Sequence, residues 1–371
     1  MKIKSVGVLS RSQPSTPRAT LTFPTVTVLA DGSFLATWRA GSTKDSADET
    51  IEFSRSMDGG ETWSKAWKPF ENPIINGMHG TLKICYLTEL TPDHLLAAAM
   101  WVDRTTYPGE PLFNEETEGC LPMSILLSDS HDSGESWSPW RMAPMPDEIG
   151  PASLTNPIIQ LADGSLALSV ETNKRYLDIA PWRQKVVFFH SDDQGQTWEG
   201  PTVVGEDPTG RIFNWDLRCG VVPDGRVVSF AWTYDSATTN YLDIHRRISL
   251  DHGHTWSAAK AIGIADQAAR PVMLPDGRMV LAYVDRFGSQ SIRARLAPCI
   301  DGPFEPESEV VIYTHDKAAT KDGSTGELLA EMSIWTFGLP YAETLPDGDV
   351  LVVYYAGMEN ALDIRWARIA P

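Results

Sequence analysis

The stretch Ser191-Asp192-Asp193-Gln194-Gly195-Gln196-Thr197-Trp198 decides the fold, because its pattern S-x-D-x-G-x-[ST]-W occurs four times. The other copies occupy residues 56–63, 130–137 and 249–256. In such a turn the Asp accepts hydrogen bonds from nearby backbone N–H groups, the Gly supplies a positive φ and the Trp packs beneath the strands. We call each copy a box. The boxes predict structural turns between antiparallel strands, repeated along the chain.

A second turn precedes each box, where one apolar strand ends in Asp-Gly or a variant and another begins at once. The aspartates of turn and box are 27 residues apart in the first and fourth units and 30 apart in the third, while the second unit carries an insertion. The six turns begin at Asp31, Asp93, Asp163, Asp224, Asp276 and Asp347. The fifth unit has a degenerate box at Asp301, and the sixth lacks a fourth strand. Residues 2–9 are predicted to supply that strand and so remove an exposed sheet edge.

Composition excludes several classes of protein. The 371 residues are 42% hydrophobic and 22% charged, and no stretch approaches the roughly 18 apolar residues of a membrane helix. A net charge of −18 argues against nucleic acid and anionic membranes as partners. The four cysteines have no paired spacing, so we expect free thiols and no structural zinc. No P-loop, dinucleotide fingerprint or H-E-x-x-H motif occurs, so no catalytic metal and no cofactor are expected. Because residues 1–9 lack the apolar run of a secretory signal, a cytoplasmic location is expected.

The box resembles the Asp-box, or BNR repeat, of the sialidase superfamily. The resemblance extends over the whole chain and implies an all-β fold, with one domain over residues 1–371. That domain would be a six-bladed β-propeller of four-stranded antiparallel blades, closed by the N-terminal strand in the last blade. Propellers of this superfamily include exo-acting glycosidases, lyases and non-catalytic carbohydrate binders, so the fold leaves the reaction open.

Both turns of each unit are expected on one face, because antiparallel strands alternate in direction. The opposite face, which is the substrate face in sialidase-like propellers, then collects the starts of the first strands and the ends of the second strands. Glycoside cleavage needs an acid to protonate the leaving oxygen and a second group to attack or to activate water. The candidates for these roles are Asp45, Asp103, Glu171, Asp216, Asp285 and Tyr341.

Further polar residues of the same face are candidates for substrate binding. Arg218 and Arg270 begin the first strands of adjacent units, and we expect them to stand side by side and clamp a carboxylate or to neutralise a catalytic Asp. Tyr176 and Trp182 offer rings for stacking on a sugar or for core packing. The complete set of binding candidates is Arg39, Glu49, His79, Arg104, Lys174, Tyr176, Arg218, Arg270 and Arg286.

The sequence departs from the sialidase pattern at several positions. Sialidases hold the substrate carboxylate with three arginines, the first in an Arg-Ile-Pro triplet, where this chain has Thr22-Phe23-Pro24. The catalytic Glu of the third blade would fall near Thr155, and the tyrosine of the last blade near Leu339, two residues from Tyr341. Asp45 matches the acid/base Asp of the first blade. The resemblance therefore implies a glycan pocket and argues against sialic acid.

Three functions follow from these observations. The leading hypothesis is an exo-acting glycoside hydrolase of the sialidase superfamily, acting through carboxylates on a non-sialic sugar, with an acidic sugar favoured by the arginines. One alternative is a polysaccharide lyase for uronate sugars, with Tyr341 or His79 as base. The other is a carbohydrate-binding propeller without catalysis. Each predicts a small molecule or an oligosaccharide as ligand.

Overall fold

The computed structural model describes residues 1–316, 323–332 and 334–371, which form antiparallel sheets, one short α-helix and one 3-10 turn. The fold is all-β with propeller-like blades. Five sheets are present among the described residues, and four of them have four or five strands each. This follows from the sequence pattern, since apolar runs such as β3 (Phe34–Gly41), buried throughout, are bounded by tight polar turns.

The fifth sheet has seven strands and combines the two ends of the chain. Its order is β24-β25-β26-β2-β3-β4, with β1 paired antiparallel to β26. Its strands are β1 (Lys2–Ser10), β2 (Thr20–Val28), β3 (Phe34–Gly41), β4 (Thr50–Ser56), β24 (Phe337–Thr344), β25 (Val350–Met358) and β26 (Ala361–Ala370).

Each of the other four sheets is built from strands close in sequence. The first contains β5 (Ile74–Ile75), β6 (Met78–Thr91), β7 (His94–Asp103), β8 (Met123–Ser130) and β9 (Arg141–Met142). The second contains β10 (Ile159–Gln160), β11 (Leu166–Glu171), β12 (Lys185–Ser191) and β13 (Glu199–Glu206). The third contains β14 (Ile212–Val221), β15 (Val227–Asp235), β16 (Asn240–Tyr241), β17 (Asp243–Ser249) and β18 (Lys260–Ala265). The fourth contains β19 (Gln267–Ala268), β20 (Val272–Met273), β21 (Met279–Asp285), β22 (Ser291–Ala297) and β23 (Glu305–Thr314).

The N-terminal strand pairs as the sequence predicts. Residues of β1 run from a Lys2–Ala370 pair to a Ser10–Ile364 pair along the last strand. The strands of the predicted first and last units share one sheet, because Thr20 of β2 and Leu362 of β26 form a parallel bridge. Because this bridge merges two predicted units, the described residues form five sheets, and the count of six blades stays a prediction.

The four boxes adopt the turn that the pattern predicts. Each begins at the last residue of a strand, and in the first box Ser56 Oγ and Thr62 N both donate to Asp58 Oδ1, at 2.8 and 2.9 Å. Thr62 Oγ1 donates to Asp58 Oδ2 at 2.5 Å. The same contacts recur around Asp132, Asp193 and Asp251. The box is therefore a local structure closed by its own residues.

The glycine of each box packs against another part of the sheet system, which is why a side chain is excluded there. A Cβ on Gly134 would lie 2.9 Å from Leu35 of β3, and one on Gly253 would lie 2.8 Å from Phe188 of β12. Both glycines also have φ near +90°. The boxes thus join successive units, as the ring contact Phe188–Trp256, with centroids 5.2 Å apart, illustrates.

Replacing Asp193 with Ala should lower the melting temperature and leave the Michaelis constant of the folded protein unchanged. The substitution removes the acceptor for Ser191 and Thr197, on the face away from the cavity described below. Asp192→Ala, at the adjacent exposed position, is the matched control. Thermal melts and steady-state kinetics measure both effects, and a loss of substrate binding at unchanged stability would contradict this role.

The predicted face assignment is confirmed by contacts between the two kinds of turn. Ser133 of the second box donates to Asp93 Oδ1 at 2.9 Å, and His252 of the fourth box lies 2.5 Å from Asp163 Oδ2. Between the sheets lie buried apolar clusters. The helix α1 (Thr325–Glu331) follows β23, and a 3-10 turn spans Asp147–Ile149. Among the described helical residues, none forms a segment long and apolar enough to cross a membrane.

Candidate active site

A cavity of about 1030 Å³ opens on the face opposite the boxes. Its wall combines strand ends, such as Glu171 at the end of β11, with loop residues, such as Asp45 between β3 and β4. The volume lies at the upper end of the range typical of small-molecule sites. Six predicted residues line this cavity: Asp45, Glu171, Tyr176, Asp216, Arg218 and Arg286.

Three β-bulges with unusual backbone geometry shape this wall. Phe23, Asp216 and Leu339 have φ of 53°, 47° and 45°, although none is glycine. Each lies at a break in strand register, in β2, β14 and β24 respectively, and all three line the cavity. A bulge redirects the side chains that follow it, and positive φ at a non-glycine residue is strained. The backbone near the start of each of these three strands is therefore irregular where it lines the cavity.

Glu171 and Asp216 form a buried acidic pair at the cavity wall. The Leu217 N–H donates to Glu171 Oε1 at 2.9 Å, and the Thr155 hydroxyl donates to the same oxygen at 3.2 Å. Burial and the neighbouring Asp216 carboxylate raise the pKa of Glu171 to about 8. Glu171 is therefore protonated at neutral pH, and no donor from the described residues reaches its Oε2, which can hold the proton.

Arg218 is bound by the protein rather than free to clamp a ligand. Its Nη2 lies 2.7 Å from Asp216 Oδ1, and its Nη1 donates to the Tyr86 hydroxyl at 2.7 Å and to the Thr155 carbonyl. Gln267 donates to the other Asp216 oxygen at 2.6 Å. Burial raises the pKa of Asp216, and Arg218 opposes that effect. Of the two alternatives for Arg218, the contacts match neutralisation of an Asp.

Asp45 belongs to a second charged cluster. Its Oδ1 accepts from Lys83 at 3.0 Å and from Arg104 at 2.6 Å, and its Oδ2 accepts from the Leu112 N–H at 2.7 Å. Burial favours the neutral acid, but the Lys83 ammonium and the Arg104 guanidinium hold the pKa of Asp45 well below its ordinary value. Asp45 is therefore ionised at neutral pH, in contrast to Glu171.

Glu49 connects this cluster to the protein interior. Its Oε2 accepts from Arg39 Nε at 2.5 Å, and both side chains are 0% exposed. Its Oε1 accepts from Thr81 at 2.6 Å and from Arg104 at 2.7 Å. Burial opposes ionisation, yet Lys83, Arg39 and Arg104 lower the pKa of Glu49 to about 2. Glu49, which Arg39 holds in place, thus positions the Arg104 side chain that pairs with Asp45.

Arg270, which the sequence predicts beside Arg218, has a carboxylate partner of its own. Arg270 donates to Glu343 at 2.6 Å, and its guanidinium lies 5.8 Å from the centroid of the Tyr341 ring. Tyr341 is buried, and burial raises the pKa of its phenol to about 12. Neither Arg270 nor Tyr341 is among the described residues that line the cavity.

Four other predicted residues have local or surface roles. Asp103 accepts hydrogen bonds from the N–H groups of Thr105 and Thr106, and Asp285 accepts from those of Gly288 and Ser289, so each organises the loop after its strand. Lys174 donates to the Thr117 carbonyl at 2.6 Å, and His79 is exposed. In the described chain, the predicted residues that do not line the cavity are Arg39, Glu49, His79, Asp103, Arg104, Lys174, Arg270, Asp285 and Tyr341.

Several cavity residues were not predicted. Lys83 lies within the apolar run of β6, and a lysine in such a run is a signal that sequence reasoning had available. No comparable signal marks Lys44, Gln267 or the rings of Trp215, Trp232 and Trp335. Their positions in the cavity depend on contacts between segments that are distant in sequence. Tyr176 and Trp182 both line the cavity, and both are also packed, at 4% and 5% exposure.

In the described ranges, no three or more His, Cys, Asp or Glu side chains are placed to hold a metal ion.

Comparisons with known proteins agree with this architecture. The family model described as BNR/Asp-box repeat matches residues 189–199, which include the third box. The NanB sialidase of Streptococcus pneumoniae is 14% identical, with a TM-score of 0.65 over 98% of this chain and 70% of that chain. The fold is sialidase-like.

Two further solved structures extend the comparison. A protein of unknown function from Dyadobacter fermentans is 22% identical, with a TM-score of 0.73 over 98% of this chain and 99% of that one. The α-L-arabinanase of Penicillium chrysogenum is 15% identical, with a TM-score of 0.65 over 99% and 98% of the two chains. No curated protein matches the sequence. At these identities the likeness concerns the fold.

Proposed function

We propose that this protein is a glycoside hydrolase in which Glu171 is the general acid and Asp45 is the anionic partner. The observation that carries the proposal is that two carboxyl groups with different partners line one cavity, Glu171 beside a second carboxylate and Asp45 between two cations. Burial and Asp216 keep Glu171 protonated, with a pKa of about 8, while Lys83 and Arg104 keep Asp45 ionised. Two carboxyl groups with separated pKa values are the arrangement that acid/base cleavage of a glycosidic bond requires.

Glu171 donates its proton to the leaving oxygen in this proposal. Both donors from the protein reach Oε1, so Oε2 carries the proton that is transferred. Asp45 either attacks the anomeric carbon or takes a proton from the attacking water. The assignment reverses the role that the sialidase resemblance implies for Asp45, because a carboxylate paired with two cations is a poor proton donor.

A sugar without a carboxylate is the substrate that the charges favour. Among the described cations of the wall, Lys83 pairs with Asp45, Arg218 with Asp216 and Arg286 with Asp266. Thr22, where sialidases have an arginine, is 0% exposed and brings no charge. An acidic substrate would have to compete with these carboxylates. We therefore propose a neutral, non-sialic sugar, held by the tryptophan rings of the wall.

We also propose six blades for the sialidase-like ring. The seven-stranded sheet would then be two blades, β24-β25-β26-β1 and β2-β3-β4, between which the described strands form the one Thr20–Leu362 bridge. The first box supports this division, because a Cβ on Gly60 would lie 3.3 Å from Leu351 of β25. A crystal structure showing continuous pairing between β26 and β2 would contradict it.

Hydrolysis should be detected on a panel of aryl glycosides of neutral sugars, pentofuranosides included, and should be weak or absent on an aryl sialoside. The reason is that every described wall cation discussed above except Lys44 already has a carboxylate partner. Release of the chromophore measures the reaction, and protein-free buffer is the blank. Robust release of sialic acid would overturn the substrate class. An unsaturated product would indicate elimination, and binding without turnover would contradict hydrolysis.

A further inference from the structure

A short segment between β23 and β24 covers one side of the cavity. We call residues 323–332 and 334–336 the α1 segment. The N-terminus of its helix has a capping box, in which Ser324 and Glu327 exchange hydrogen bonds. Leu329, Met332 and Trp335 face the cavity from this segment.

The α1 segment lies on a cluster of aromatic rings. Trp215 stacks on Tyr234, with centroids 4.7 Å apart and planes at 16°, and Trp232 is 5.7 Å from Trp335 of the segment. Leu328 and Leu329 of the helix belong to the same buried cluster. Flat rings of this kind bind the C–H faces of sugars. In this structure the α1 segment packs on the rings and so covers the surface that a sugar would contact.

The aromatic cluster contains three polar donors that have no partner among the described residues. The indole N–H groups of Trp182, Trp215 and Trp232 are buried, and no acceptor reaches them within the described part of the chain. All three rings line the cavity, and each side chain is at least nine-tenths buried. Buried donors are normally paired, so their grouping in one wall points to a ligand that brings acceptor oxygens.

Lys44 holds the α1 segment in place. Its Nζ donates to the carbonyls of Met332 at 2.6 Å and Trp335 at 3.0 Å, and to the Tyr355 hydroxyl at 3.0 Å. Burial and the nearby cations lower the pKa of Lys44 well below its ordinary value, so these contacts hold the side chain without a carboxylate partner. Lys44 is thus a latch between the β3–β4 loop and the end of the α1 segment rather than a free cation.

We propose that the aromatic cluster beneath the α1 segment is a binding subsite for a second sugar ring, and that the segment moves aside to admit it when the Lys44 latch opens. This inference rests on the proposed function, since it makes the substrate an oligosaccharide rather than a single sugar with a small leaving group. The ring stacks on the indoles and its hydroxyl oxygens accept from their N–H groups. The Trp335 ring leaves the cluster with the segment.

The latch is tested without any ligand. Lys44→Met should speed hydrogen exchange of the amides at 325–332 several-fold and increase acrylamide quenching of tryptophan fluorescence, because the segment loses two hydrogen bonds. Lys65→Met, at an exposed lysine outside the cavity, is the control. A second variant is Gly326→Ala, whose Cβ would lie 2.0 Å from the Glu115 carbonyl oxygen and so displace the helix. Exchange and quenching at wild-type rates in Lys44→Met would overturn the latch, and wild-type rates in both variants would overturn the movement of the segment as well.

The subsite is tested by binding to an array of defined neutral mono- and trisaccharides. Glu171→Gln protein should retain trisaccharides at least ten-fold better than the corresponding monosaccharides. Adding Trp232→Phe, which keeps a ring but removes the N–H donor, should reduce that preference. Equal retention of one ring and three, no retention at all, or a preference unaffected by Trp232→Phe would each contradict the subsite. Trisaccharide binding by a wild-type protein that cleaves nothing would instead contradict only the hydrolase.

Discussion

Glu171→Gln should reduce kcat/KM by about 10²–10⁴-fold on any substrate whose leaving group needs protonation. The amide has nearly the same shape as the acid but no transferable proton. In the wild type, kcat/KM should fall as pH rises through about 8, where burial and Asp216 place the pKa of Glu171. The residual activity of the variant should lack this alkaline limb. Initial rates from pH 5 to 10 measure both effects.

The same group makes stability depend on pH. The pKa of Glu171 is raised from 4.5 to about 8 in the folded chain, so the folded state holds this proton more tightly than the unfolded state. Its contribution is complete below about pH 4.5 and is lost as pH rises to about 8, by an amount on the order of 5 kcal/mol. Glu171→Gln should flatten this part of the profile in denaturant melts.

Asp285→Asn is a suitable control for both measurements. Asp285 was a candidate of the same kind by sequence, but its carboxylate accepts from the N–H groups of Gly288 and Ser289. The variant should keep the alkaline limb of the wild type. A full alkaline limb in Glu171→Gln, or its loss in Asp285→Asn, would refute Glu171 as the proton donor.

The largest loss of stability is expected from Glu49→Ala, about 3–5 kcal/mol in the free energy of unfolding. The substitution leaves Arg39, which is 0% exposed, without its carboxylate and deprives Arg104 and Lys83 of a partner. Chemical denaturation measures the change. Replacing both members of the buried pair, as Arg39→Met with Glu49→Leu, should recover part of the loss because no isolated charge remains.

An exposed ion pair supplies the matched control. Glu135 is 72% exposed and lies 3.3 Å from Arg55, so Glu135→Ala should change the free energy of unfolding by less than about 1 kcal/mol. A similar effect of Glu49→Ala and Glu135→Ala would show that the buried cluster does not contribute as argued.

The sequence alone determined the strand-and-turn framework. The boxes are closed by contacts among residues two to four apart, such as Ser56 and Thr62 with Asp58, so adjacent residues encode them completely. The N-terminal strand was also predictable, because the last unit lacked a strand and an unpaired edge is unfavourable. The number of blades is harder to predict from nearby residues, because it depends on how the two ends of the chain meet at Thr20 and Leu362.

The tertiary structure decided which of the predicted carboxyl groups share the cavity and in what protonation state. Asp103 and Asp285 end strands just as Glu171 does, yet they accept hydrogen bonds from their own loops. Glu171 is neutral and Asp45 ionised because burial and charges from other sheets act on them, through Asp216 in one case and Lys83 in the other. Desolvation and Coulomb forces act through space between residues far apart in sequence, which is why no local pattern encodes them.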